Sequence, residues 1–308
     1  MSQSETLSLS QEIKLHAKQK PFAAAGLLLA LLIVVAMFVM SCLNISQHKL
    51  IQQALNYALL GGTAGFVATT VGALPALFLK NIPRKIEDIM LGLAAGMMLA
   101  AAAFSLLLPG LEAGEALTNH AGTGAAIVVA GMMLGVLLML GLDEFTPHEH
   151  SKTGPCGPGH ERCNRVWLFV FAIALHNLPE GMAVGVAFSP GELSAGLPLA
   201  TAIALQDIPE GLAVAMALRS AGFGAGLSVS VSALSGLLEP IGALIGVGLT
   251  SGLALTYPAG MGLAAGAMIF VVSHEVIPET HRNGHQTAAT IGLMFGFAVM
   301  MVLDTSLG

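Results

Sequence analysis

Charged and aromatic side chains are both scarce in this sequence. Asp, Glu, Lys and Arg make up 10% of its 308 residues, and Phe, Trp and Tyr 5%. A soluble domain carries about 25% charged residues. With 55% hydrophobic residues and a mean hydropathy of +0.80, the chain cannot cover itself with polar surface. That excludes a soluble globular domain and leaves a lipid bilayer to do the covering. Cysteine is scarce as well. Cys42, Cys156 and Cys163 do not make a disulfide framework. The net charge of -6 says little about partners, because most acidic residues of interest lie inside the apolar runs, and no nucleic-acid partner is expected.

Glycine, by contrast, is plentiful at 37 residues. Small residues let membrane helices approach closely where no water drives them together. Apolar runs long enough to cross ~30 Å of hydrocarbon recur along the chain. They predict membrane helices at about 21–43, 54–79, 87–108, 121–142, 166–189, 197–217, 223–249, 256–277 and 286–304. The first run follows a basic leader, and Val39-Met40-Ser41-Cys42 faintly resembles a lipoprotein cleavage box. The run is longer than a usual signal h-region, so we read it as a retained helix.

Lys and Arg set the expected orientation. A cytoplasmic N-terminus puts Lys14, Lys18, Lys20, Lys80, Arg84, Lys85, Lys152, Arg162, Arg165, Arg219 and Arg282 inside and Lys49 outside. The C-terminus then lies outside.

Weak self-similarities point to internal repeats. Gly92-Leu93-Ala94-Ala95-Gly96-Met97-Met98 returns as Gly262-Leu263-Ala264-Ala265-Gly266-Ala267-Met268, an offset of 170. The same offset maps Val71-Gly72-Ala73-Leu74 onto Ile241-Gly242-Ala243-Leu244. Gly131 to Asp143 resembles Gly292 to Asp304 at an offset of 161. In the middle, HNLPEGMAVGVA at 176–187 matches QDIPEGLAVAMA at 206–217. Each matched pair runs in opposite directions. The expected fold is therefore all-α: a polytopic membrane bundle with a 3+2+3 inverted-repeat core of eight helices and one extra N-terminal helix. Alternating-access transporters share that plan, with the binding site near the midplane. Chance likeness among Gly- and Ala-rich helices is the competing reading of any single match.

The two middle motifs begin about ten residues into their spans, roughly 15 Å deep at 1.5 Å per residue. Polar groups at that depth are expensive and read as functional. His176 and Glu180 are four apart and share a helix face, with Asn177 beside them. Gln206, Asp207 and Glu210 repeat the geometry. Pro179 and Pro209 each deprive a carbonyl of its donor one turn earlier, which predicts kinks. Glu239, also deep and also before a proline, adds a fourth carboxylate. No Lys or Arg lies at that depth to balance Glu180, Asp207, Glu210 and Glu239. Two divalent cations would balance them, or protons when the site is empty. Imidazole, carboxylate and amide ligands without thiolate suit zinc and other borderline divalent ions. Met98 could add a thioether, or be an ordinary core methionine. A structural polar network is the competing reading of the whole cluster; it would rarely need so many acids without a base.

These motifs resemble those of the ZIP (Zrt/Irt-like) family of metal transporters, closest to its prokaryotic branch, whose signatures read HNLPEG and Q-[ND]-IPEG. Residues 54–308 fit the family's eight-helix plan. Residues 1–53 are an added leader and helix. The resemblance implies a binuclear metal centre of His176, Asn177, Glu180, Gln206, Asp207, Glu210 and Glu239, with Met98 as an extra ligand. It implies zinc as the cargo, with cadmium, iron or manganese as alternatives. It also implies a homodimer in the bacterial inner membrane, uptake toward the cytoplasm and an elevator-like movement. Gln206 stands where many eukaryotic members carry His, which bears on metal selectivity.

Further polar residues extend the expected pathway. The loop 143–165 carries His148, Glu149, His150, Cys156, His160 and Cys163, a metal-receiving segment or a passive solvated loop. His274 and Glu275 either line the exit or cap a helix end. Ser105 and Asp304 are candidates for the entrance. An intramembrane metalloprotease is the enzyme alternative, but its H-E-x-x-H signature fails because Pro278 follows His274-Glu275 where the second His belongs. A metal-selective channel is the second alternative. Inverted repeats and a tight multi-ligand site favour a carrier over it.

Overall fold

The computed structural model describes residues 9–44, 49–80, 82–146, 148–150, 154–156, 165–191, 193–220, 222–250 and 253–307. Among these, eight helical spans are long and apolar enough to cross a membrane. Helix α7, Arg165–Phe188, adds a further 24-residue helix, about 36 Å long at 1.5 Å per residue. The molecule is a polytopic helical membrane bundle.

The described chain begins with α1 (Leu9–Gln19) and α2 (Pro21–Asn44). Helix α3 (Lys49–Ala73) ends in a short 3-10 turn, Leu74–Leu77. Helix α4 (Arg84–Ala100) passes through a π-helical stretch, Ala101–Leu107, into α5 (Leu108–Thr118). Helix α6 (Ala121–Phe145) leads to a two-stranded hairpin, β1 (His148–His150) with β2 (Gly154–Cys156), antiparallel with His148 opposite Cys156. After α7 come α8 (Leu193–Ser220), α9 (Ala225–Ser235) and α10 (Leu238–Thr250). Helix α11 (Thr256–Val271) runs through a second π-helical stretch, Val272–Val276, into α12 (Ile277–Thr280), and α13 is Gln286–Leu307.

The third span is longer than its sequence pattern predicts. It runs on past residue 108 because the π-helical stretch absorbs the break. Pro109, which has no N–H to donate back along the helix, follows directly on that stretch at the start of α5. The seventh span differs in the other direction: it is broken at residues 236–237, so α9 and α10 are separate half-helices.

Packing follows the repeat. Helix α4 packs on α13 as α11 packs on α6, and α3 packs on α8 as α10 packs on α7. Glycine contacts reproduce the symmetry residue by residue. A Cβ at Gly92 would strike the carbonyl oxygen of Ala289, and one at Gly262 that of Val128. The offsets of 170 and 161 interchange these two contacts. Likewise a Cβ at Gly181 would strike the Glu239 carbonyl, and one at Gly211 the Thr69 carbonyl. The two π-helical stretches stand at matching places as well.

Two groups of four helical spans result. One holds α3, α7, α8 and the α9–α10 pair. The other holds α4–α5, α6, α11–α12 and α13. Between them lies a buried cluster of small and flexible residues that includes Ala95, Met98, Ala183, Ile203 and Met268.

Side-chain contacts gather several connections at one end of the bundle. His16 Nε2 and Lys20 Nζ of the α1 segment reach Glu144 Oε1 at the end of α6, at 3.1 and 3.4 Å. Asp88 at the start of α4 accepts from Asn283 Nδ2 and pairs with His285 Nδ1, both at 2.8 Å. This end carries Lys14, Lys18, Lys20, Arg84 and Arg282.

Candidate metal centre

Helices α7 and α8 cross the bundle centre side by side, and both remain helical through Pro179 and Pro209. The matched motifs place their polar residues on facing sides. Asn177 is 3% exposed, Glu180 1%, Gln206 0% and Asp207 2%, while His176 and Glu210 are half-buried. Gln206 Nε2 donates to Glu180 Oε1 at 2.6 Å across the α7–α8 interface. One carboxylate oxygen from each of Glu180, Asp207 and Glu210 lies within 4.8 Å of the others. A single cation at their centre could touch all three.

Among the described residues, Glu180 Oε2, Gln206 Oε1 and Asp207 Oδ2 are buried without a hydrogen-bond partner. Leaving such acceptors unpaired in a low-dielectric interior costs roughly 1–3 kcal/mol each, and more for charged groups. No Lys or Arg occurs between residues 166 and 218 to compensate them. Converging oxygen acceptors without donors are the chemistry of a cation site.

Glu239 enters from α10, just beyond the break in the seventh span, and is 1% exposed. Its carboxyl group lies beside that of Asp207. The space it fills exists because residue 65 is glycine. A Cβ there would fall on Glu239 Oε2 and lie 2.9 Å from Asp207 Oδ2. Thr69 Oγ1, one turn further along α3, is 3.1 Å from Glu239 Oε1 and 3.1 Å from the Gly65 carbonyl oxygen.

The structure thus brings Glu180, Gln206, Asp207 and Glu210 together, with Glu239 beside Asp207. Asn177 shares their buried helix face, and His176 lies one turn from Glu180. Met98 is 2% exposed, and its apolar cluster includes Ala183 and Ile203, each one turn from the motif residues. The sequence reading missed Gly65 and Thr69. The signal was present, since the offset of 170 that matches Gly72 to Gly242 also carries Thr69 onto Glu239.

A second cluster lies at the basic end. Ligand atoms of Asp143, His274 and Glu275 fall within 4.8 Å of one another. His274 Nε2 is 3.5 Å from Asp143 Oδ2, and its ring stacks on Phe270. Sequence reading placed Asp143 in a loop; the structure makes it the partner of His274, because α6 continues to Phe145. The matching positions in the other repeat are Asp304 and Ser105, and Ser105 Oγ donates to Asp304 Oδ1 at 2.6 Å. His148, His150 and Cys156 belong to the hairpin. His160 and Cys163 lie outside the described residues, as do Lys152 and Arg162.

A family model described as the ZIP zinc transporter matches residues 147–304. The zinc transporter ZIPB of Bordetella bronchiseptica is 63% identical over 254 residues, 82% of each chain. The zinc transporter GufA of Myxococcus xanthus is 44% identical over 252 residues, covering 82% of this chain and 97% of its own. The human zinc transporter ZIP11 is 30% identical over 335 aligned positions, with 82% and 97% covered.

Proposed function

The chain belongs to the ZIP family, a family of transporters rather than enzymes, and on that premise we propose that it carries zinc across a membrane by alternating access through the α7–α8 centre. The observation that carries this reading is the convergence of Glu180, Asp207 and Glu210 on one point at the bundle centre, with buried acceptors and no basic counter-charge. A zinc ion bound there would satisfy what the protein leaves unsatisfied.

Two ions fit the donors. One is held by His176, Glu180, Gln206, Asp207 and Glu210, whose imidazole, carboxylates and amide suit a borderline divalent metal. The other is held by Asn177 and Glu239, with carboxylates of the first position shared and Met98 as an accessory thioether. Neutral and anionic oxygen ligands also accept cadmium, iron or manganese.

Every one of these ligands except Met98 sits on the α3, α7, α8 and α9–α10 group. Movement of that group against α4–α5, α6, α11–α12 and α13 would carry the site as a unit between the two membrane faces. The cluster packed between the groups is rich in alanine and methionine. Ser105 and Asp304 lie on the entry side, and Asp143, His274 and Glu275 on the release side, followed by the hairpin with His148 and His150. The basic end faces the cytoplasm, which puts the N-terminus inside and the C-terminus outside. Residues 54–308 form the transport unit and 1–53 its added leader and helix. In this reading the protein works as a homodimer in a bacterial inner membrane.

Uptake of radioactive zinc into proteoliposomes tests the reading. His176→Ala and Glu210→Ala should abolish uptake while the purified variants remain folded and monodisperse. Wild-type rates in both would eliminate it.

A further inference from the structure

We propose that Thr69 is a positioning residue that makes Glu239 a one-oxygen ligand and thereby sets the metal preference of the second position. The proposal rests on the two-ion reading above and names a determinant of its selectivity.

Thr69 is 3% exposed and Glu239 1%, so their contact is screened from solvent. A threonine in a helix has few χ1 choices, and the favoured ones turn its hydroxyl toward the carbonyl one turn back. Here that carbonyl is Gly65, and the hydroxyl so placed is 3.1 Å from Glu239 Oε1 as well. The α3 backbone at this point has no freedom to withdraw. Gly211 of the α8 motif packs directly on the Thr69 carbonyl, as Gly181 of α7 packs on that of Glu239. Both partners are therefore clamped to the helices that carry the remaining ligands.

The two oxygens of Glu239 have different surroundings as a result. Oε1 shares the one Thr69 hydroxyl proton with the Gly65 carbonyl oxygen. Oε2 lies over Gly65, on the side where Asp207 Oδ2 also approaches. With Oε1 turned to Thr69, Oε2 is the oxygen that Glu239 offers a metal. Single-oxygen carboxylate binding suits a small, four-coordinate zinc ion. A larger ion gains from a carboxylate that binds through both oxygens. Removing the hydroxyl frees Oε1 to turn toward the metal and should favour the larger ion.

The test is equilibrium binding of zinc and of cadmium, each alone, to the purified full-length protein, with Thr69→Val and Thr69→Ala as variants and Thr69→Ser as the conservative control. Wild type should bind two ions. In both hydroxyl-free variants the zinc affinity of the weaker position should fall about 5- to 10-fold, the scale of one ordinary hydrogen bond. The cadmium affinity of that position should hold or rise, so the preference moves toward cadmium, and Thr69→Ser should retain the wild-type ratio. A general loosening of structure would weaken both metals alike and would overturn the assignment. So would an unchanged ratio in the two variants. A wild-type protein that binds one ion would overturn the two-ion reading itself, and this proposal with it.

Discussion

Ser105 Oγ donates to Asp304 Oδ1 at 2.6 Å, joining the π-helical stretch after α4 to the last turns of α13. The repeat carries these two positions onto Glu275 and Asp143, which meet with His274 at the basic end. The bundle thus has the same construction at both ends, with unequal chemistry: a hydroxyl and one carboxylate at one end, an imidazole and two carboxylates at the other.

That inequality predicts separable kinetic effects. Ser105→Ala and Asp304→Asn should raise the KM for zinc uptake about 3- to 10-fold and leave the maximal rate nearly intact, as loss of a capture contact does. Asp143→Asn combined with Glu275→Gln should lower the maximal rate instead. Initial rates of uptake across a range of zinc concentrations distinguish the two patterns, and the reverse assignment would contradict the direction of transport.

Gly65→Ala should lose the second ion. The added methyl falls on Glu239 Oε2, so the carboxylate must leave its position beside Asp207. Overpacking of this kind costs about 1–3 kcal/mol. Metal stoichiometry should drop from two to one, with a lower thermal midpoint in the metal-free protein. Two ions at wild-type affinity would show that Glu239 is not a ligand where the structure places it.

Gln206→His should tighten zinc and slow its release. Gln206 is the repeat counterpart of His176 and donates to Glu180 Oε1. Replacing its amide by imidazole supplies a stronger borderline ligand and removes that donor. Competition between zinc and manganese should shift toward zinc, accompanied by a lower maximal rate. An unchanged preference would place residue 206 outside the metal's ligand set.

Acidification should weaken metal binding. The carboxylates and His176 ligate only after losing protons, so protons and metal compete for the same atoms. Affinity should fall by up to about tenfold per pH unit for each proton displaced. Calorimetric titrations in buffers of different ionisation enthalpy should also register proton release on zinc binding. A flat affinity between pH 5 and pH 8 would contradict carboxylate and imidazole ligation.

Much of the architecture was legible in the chain because a bilayer imposes simple rules. Apolar length marks each span, and the depth of HNLPEG and QDIPEG within their runs places the centre. The offsets of 170 and 161 relate the spans of one repeat to those of the other, so one set of helix contacts implies its image. Local backbone adjustments were not legible. Pro109 reads as a helix stop, yet the π-helical stretch before it lets the helix continue. Gly236 lies in the break at residues 236–237 and Pro240 shortly after it, but the same residue types in α7 and α8 leave those helices continuous through Pro179 and Pro209. Thr69 was overlooked because a lone threonine in a membrane helix usually bonds its own backbone, and it does so here as well. Only the repeat offset, or the fold, reveals that it also meets Glu239. Asp143 reads as loop because the apolar run ends before it, whereas α6 continues to Phe145 and brings it against His274.

The most direct measurement is anomalous X-ray diffraction from crystals of the full-length protein grown with zinc, collected above and below the zinc absorption edge. The account predicts two anomalous peaks between α7 and α8, one among Glu180, Gln206 and Glu210 and one beside Asp207 and Glu239. Zinc peaks elsewhere, with none between these helices, would contradict it.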